Sequence, residues 1–126
     1  MKKAKIKVGT YNFLIDFLDT NTAKIIYSKL PIVSKINFWG KEVYFYTDLK
    51  IKTEENARQI VKKGELAYWP EGDAIAIGYG PTPISFDGEI RLASNCNIWG
   101  TTEFDLEELD LLKEQQEIII TSEKFL

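Results

Sequence analysis

The feature that most limits what this chain can become is its spacing of short alternating runs. Apolar and polar residues alternate over strand-length segments, and Gly, Pro, Asn or Asp interrupts them at close intervals. Over Glu42 to Leu49, Val43, Phe45, Thr47 and Leu49 fall on one side, and Glu42, Tyr44, Tyr46 and Asp48 on the other. Successive side chains of a strand point to opposite faces, so such a run reads as a strand with one face toward a core. Tyr11, Phe13, Ile15 and Phe17 share a face in the same way. Ala4, Ile6 and Val8 lie opposite Lys3, Lys5 and Lys7, a solvated lysine face that suits an edge strand. Gly9-Thr10 between these first two runs is a two-residue hairpin signal.

Further strand signals cover Ile32 to Trp39, Glu65 to Trp69, Ala74 to Tyr79, Glu89 to Gly100 and Glu117 to Ser122. Two helical stripes interrupt them. Ala23, Ile26, Tyr27 and Leu30 follow the N-cap candidates Asp19, Thr20, Asn21 and Thr22, and Pro31 closes that helix. Leu106, Leu109 and Leu112 follow a capping box over Asp105 to Glu108. The polar segment Lys52 to Lys63 has room for a helical turn. About eight short strands and two short helices predict a mainly β fold, a closed antiparallel barrel capped by the helices. Its core is expected to hold Ile6, Val8, Phe13, Ile15, Phe45, Ile75, Ile77 and Ile118, with Ile26 and Leu109 packing the helices against the barrel ends.

Composition narrows the function classes. The 126 residues make one domain, 1–126, and no linker or repeat divides them. A net charge of -3 argues against a nucleic-acid partner. No apolar stretch reaches membrane-spanning length and no signal-type apolar segment follows the basic start, so no membrane is expected and the cytoplasm is the expected location. Cys96 is the single cysteine and reads as a buried small hydrophobe. With no histidine, a Ser-His-Asp or Cys-His arrangement cannot form, and neither can an imidazole zinc site. Asp105, Glu107, Glu108 and Asp110 sit at helical spacing as a solvated face, and Gly78-Tyr79-Gly80 lacks the helix that a phosphate loop requires. No metal and no cofactor is expected. Ile-, Lys- and Glu-rich, Cys- and Met-poor usage points to a thermophile.

Three segments carry a family resemblance. They are Asn37 to Phe45 (NFWGKEVYF), Gly64 to Gly72 (GELAYWPEG) continuing through Gly80 to Ser85 (GPTPIS), and Ile90 to Gly100 (IRLASNCNIWG). In that order and spacing the chain resembles the small cyclophilin-like proteins of bacteria and archaea, a group of unassigned function. The resemblance implies a cyclophilin-type barrel of eight antiparallel strands capped by two helices. Prolyl isomerases of this fold carry Phe-His-Arg followed by a Phe-x-x-Gln-Gly-Gly stretch. Here the comparable strand Val43 to Thr47 reads VYFYT and no Gln-Gly-Gly exists, so no catalytic residue carries over.

What remains is an aromatic and proline set. Trp69 ends one strand, Tyr79 ends the next, and Pro81 and Pro83 stiffen the loop that follows, on either side of Thr82. Tyr44, Tyr46 and Trp39 leave the core face of their strands, and Arg91 is an arginine inside a strand segment beside Glu89. The expected ligand site is therefore Trp69, Tyr79, Pro81, Thr82, Tyr46 and Arg91, a groove for a proline-containing peptide or a small molecule. Simple hairpin pairing sets Trp69 next to its turn and Tyr79 at the far end of its strand, which places them on different rims unless the strands diverge. Two other readings stand beside the binding module. One is a divergent prolyl isomerase using Arg91 or a backbone N–H, since isomerisation needs only preferential binding of the twisted amide. The other is an oligomerisation subunit joined through exposed tryptophans.

Overall fold

The computed structural model describes residues 2–123. Its strands are β1 Lys3–Val8, β2 Tyr11–Phe17, β3 Ile32–Lys35, β4 Asn37–Phe38, β5 Glu42–Tyr46, β6 Arg58–Val61, β7 Glu65–Trp69, β8 Ala74–Gly78, β9 Ile90–Thr101 and β10 Glu117–Ser122. Helix α1 spans Asn21–Ser28, and a 3-10 helix covers Leu106–Leu111. The strands pair antiparallel in the order β3-β10-β1-β2-β9-β7-β8-β5-β4, with β6 joined to β9 off that path. β3 and β4, the two ends of the path, are consecutive in sequence, so the sheet curls into a nearly closed barrel. The Ser34 hydroxyl spans the seam, donating to the Tyr46 carbonyl at 2.7 Å.

Ten strands replace the eight expected, for two physical reasons. The run Ile32 to Trp39 breaks at Ile36, whose N–H bonds the Gln116 carbonyl and whose side chain is buried. The segment 52–63 contains no helical turn in its second half. It pairs with β9 instead, Ile60 opposite Arg91 and Val61 opposite Ile90, because long-range strand pairing outweighs a weak local preference. β1 also differs from expectation. It lies between β10 and β2 rather than at an edge, and its lysine face is solvated while both backbone edges are paired. The second helix is 3-10 and lacks the closed capping box. The Asp105 carboxylate accepts from the Glu107 N–H, but Glu108 turns away to accept from the Tyr11 hydroxyl.

All eight residues expected in the barrel are buried in one cluster, and Ile26 and Leu109 join it from α1 and the 3-10 helix. The Thr20 hydroxyl caps α1 by accepting from the Ala23 N–H at 3.0 Å. A second, smaller cluster lies on the outer side of β7 and β8, where Val61, Ala67, Ala76, Ile90, Leu92 and Cys96 pack together. β8 is thus buried along its whole length. Ile75 and Ile77 enter the barrel, and Ala76 enters the outer cluster.

A buried polar knot ties the connection between β5 and β6 to this frame. Asn97 on β9 donates to the Thr22 hydroxyl and the Lys52 carbonyl, both at 2.9 Å, and accepts from the Glu54 N–H at 2.8 Å. Glu54 in turn accepts from the Thr22 N–H and hydroxyl at the start of α1. Replacing Asn97 strands several groups away from water, each costing about 1–3 kcal/mol. Asn97→Ala is therefore expected to lower the unfolding free energy by about 3 kcal/mol in a urea titration. A loss below about 1 kcal/mol would mean that this knot does not anchor the segment.

Candidate functional site

Strand register assembles the site. Paired residues point to the same side of a sheet, so Tyr44, Ala76 and Ala67 form one outward row across β5, β8 and β7. Tyr46, Ala74 and Trp69 form the next row, and Glu42 faces outward opposite Gly78. The central strand contributes only small side chains to this face, while its neighbours contribute large aromatic ones. The result is a trough of about 150 Å³ with Ala76 on its floor and Tyr44, Tyr46 and Trp69 on its walls. Trp39 closes it on the β5 side, and Leu92, Ala93 and Cys96 of β9 close it opposite. An apolar space of about this volume holds one ring-sized group.

The walls are held rigidly. The Tyr44 and Tyr46 rings stand perpendicular, 5.7 Å between centroids at 89°. The Trp69 indole N–H donates to the Ser94 hydroxyl at 2.7 Å, which fixes the ring and leaves its π surface as what it offers. The same ring lies on Gly72, where an added Cβ would come within 2.1 Å of it. Gly78 plays the matching part for the outer cluster, because a Cβ there would meet the Ile90 side chain at 2.5 Å.

Glu42 lines the trough and is only 6% exposed. Its Oε1 has no hydrogen-bond partner among the described residues. Burial alone pushes its carboxyl up to about 7 from an ordinary 4.5, since a charge removed from water without a partner is disfavoured. Near neutral pH the group is available both as an acceptor and, when protonated, as a donor. Cys96 lines the same trough, and burial, reinforced by the Glu42 and Glu71 charges, pushes its thiol up to about 12. It therefore stays protonated at neutral pH and is no nucleophile.

Of the residues expected in the site, the structure brings Trp69 and Tyr46 together and places the other four elsewhere. Tyr79 is 4% exposed within the barrel core, and its hydroxyl donates to Asp110 of the 3-10 helix at 2.7 Å. Trp69 pairs with Ala74 beside the turn, and Tyr79 follows the far end of β8, so the two belong to opposite ends of the hairpin. The Thr82 hydroxyl donates to the Arg91 carbonyl at 2.5 Å, and the Pro81 carbonyl accepts from the Lys41 N–H at 3.0 Å. These bonds fasten the 80–83 loop to β9 and to the β4–β5 turn rather than to the trough. The Arg91 guanidinium pairs with Glu89 at 2.5 Å and lies over the Phe86 ring. Glu42, by contrast, was not among the expected site residues. Two sequence signals point to it: its place on the outward face with Tyr44 and Tyr46, and the small-large alternation of Ala74-Ile75-Ala76-Ile77-Gly78 that hollows this face.

The raised Glu42 carboxyl has a definite sign in stability. Between pH 4.5 and 7 the unfolded chain releases this proton while the folded chain keeps it, so stability falls as pH rises through that window. The full penalty above it is on the order of 3 kcal/mol. Glu65 and Asp110, held low by hydrogen bonds from Arg58 and Lys41 respectively, act oppositely, and their contribution is lost only on acidification. Glu42→Gln is therefore expected to raise the thermal midpoint relative to the parent at pH 8 and to leave it nearly equal at pH 4.5. A pH-independent difference in parallel calorimetry would show that Glu42 ionises normally.

The whole-chain comparisons agree with this architecture. A family model described as Cyclophilin-like matches residues 2–121. The solution structure of the hypothetical protein AF2241 from Archaeoglobus fulgidus is similar at 30% identity with a TM-score of 0.79, over 95% of this chain and 93% of that one. Among curated proteins nothing matches. The match of sequence and fold over nearly the full length places this chain in the cyclophilin-like family.

Proposed function

We propose that the protein is a binding module, and that the trough on the outer face of β5, β8 and β7 is its binding site. The observation that carries this reading is the buried Glu42 carboxyl, unpartnered at Oε1, set in an apolar space walled by aromatic rings. Burying a carboxyl in this way costs stability, and a ligand that meets it recovers part of that cost. The occupant is a small molecule or a peptide side chain, with an apolar group the size of one ring and a polar handle for Glu42.

A divergent prolyl isomerase is the second reading, favoured by the ring-sized floor and by a carboxyl that retains a proton near neutral pH. In that case the Glu42 carboxyl, rather than Arg91, would donate to the twisted amide, because Arg91 is engaged with Glu89.

Amide NMR titration with ring-sized compounds and an Xaa-Pro peptide tests both. Binding is expected to shift residues 42–46, 69 and 76, and exchange spectra on the peptide report any isomerisation. Tyr46 is 55% exposed, so Tyr46→Ala is expected to weaken binding about tenfold while moving the thermal midpoint by less than about 2 °C. Shifts confined to other surfaces would refute the trough as the site. A change in sedimentation for Tyr46→Ala would instead assign this face to self-association.

A further inference from the structure

We propose that the trough is a cage for an organic cation, a ligand whose charge lies on a methylated or fully substituted ammonium. The proposal rests on the trough being a binding site and goes on to name the class of ligand. Among the described residues, four aromatic side chains line it, Trp39, Tyr44, Tyr46 and Trp69, together with one carboxylate and no basic residue. Aromatic faces carry negative potential and attract a cation that sheds its water, and Trp is the best of them. The perpendicular Tyr44 and Tyr46 rings supply two walls of such a cage. Trp69 adds a third, with its N–H already committed to Ser94.

Charge and size select among cations. Of the lining side chains only Glu42 and the two tyrosines carry oxygen. That is too few for a calcium ion, which takes six to eight oxygen ligands, and apolar walls offer little to the water shell that a magnesium ion keeps. A primary ammonium would bring three N–H donors to a surface with little to accept them. A substituted ammonium has few or no donors, spreads its charge over methyl groups and fits an apolar space of about 150 Å³. The single Glu42 carboxylate, 6% exposed and unpartnered at Oε1, supplies one balancing charge.

The surrounding field has the same sign. Burial, then Tyr46, then the Glu114 and Glu42 charges push the Tyr44 phenol up, and Glu42 and Glu71 push the Cys96 thiol up after burial. The groups around the Glu42 carboxyl are thus Tyr44 and Tyr46 on its own strand and Cys96 on β9. Glu71 from the β7–β8 turn and Glu114 from the segment before β10 add negative charge. The nearest lysine in sequence, Lys41, is bound to Asp110.

Calorimetric titration at pH 8 with choline, and with its neutral carbon isostere 3,3-dimethylbutan-1-ol, tests the assignment. Choline is expected to bind at least about tenfold more tightly than the alcohol. Glu42→Gln is expected to reduce that preference at pH 8, and the preference of the parent should likewise shrink below pH 6 as Glu42 takes up a proton. Equal or tighter binding of the alcohol would overturn the cation assignment while leaving the trough a binding site. So would silence toward choline when neutral ring compounds still shift the trough. Silence toward every probe would overturn both readings. A preference for choline that survives Glu42→Gln and Tyr46→Ala would place the cation elsewhere and overturn the cage.

Discussion

β8 is a strand shared by two cores, and the rest of the structure depends on that double burial. Its Ile75 and Ile77 fill the barrel, and its Ala76 and Gly78 lie under the outer layer. A strand buried on both faces can afford bulk on only one of them when a second layer must approach closely. Small residues outward allow Ile90 and Leu92 of β9 to settle onto Gly78. Where that outer layer stops, the same small residues leave a hollow, and the aromatic side chains of β5 and β7 stand around it. The trough therefore follows from how the sheet is covered rather than from any loop built for the purpose.

This origin explains why the trough is stiff. Its walls come from strands in fixed register, and the ring positions are set by Ser94, Gly72 and the perpendicular packing of the two tyrosines. Groups held in place before a ligand arrives lose little freedom when it binds. The neighbouring turn is held with equal care. The Asp73 carboxylate accepts from the Tyr68 and Thr47 hydroxyls at 2.6 and 2.8 Å and from the Leu49 and Lys50 N–H groups. Asp73 and Glu42 make an instructive pair. Both feel burial, but hydrogen bonds to Asp73 outweigh it and hold that carboxyl low, whereas nothing offsets it at Glu42.

Much of the barrel was legible in the sequence because alternation is a local signal with one buried answer. A one-residue slip would have turned Ile6, Phe13, Phe45 or Ile118 out to solvent, so the faces of these strands admitted one assignment. The strand at 58–61 was not legible, because only Val61 is buried in it and its partner β9 lies some thirty residues on in the chain. The family resemblance carried by the Asn37, Gly64 and Ile90 segments also proved correct. The trough was legible only in part. Trp69 and Tyr46 lie in the trough, but Tyr79, Pro81, Thr82 and Arg91 were grouped with them by closeness in sequence and by residue type. Their actual partners, Asp110 for Tyr79, Lys41 for Pro81, the Arg91 carbonyl for Thr82 and Glu89 for Arg91, come from the fold or from charge pairing, which spacing does not distinguish from ligand binding. Glu42 escaped notice because an outward glutamate on a strand ordinarily faces water, and only the outer layer buries it.

That burial is also what separates Glu42 from an ordinary surface carboxyl, so its proton is the quantity to measure. Carbon-13 NMR of the side-chain carboxyl, followed against pH in the intact protein, reports its ionisation directly. A midpoint near 7 is the result expected of a carboxyl buried with an unpartnered oxygen in the aromatic trough. A midpoint near the ordinary 4.5 would contradict it, because Glu42 would then be solvated or paired and the trough would lack its polar anchor.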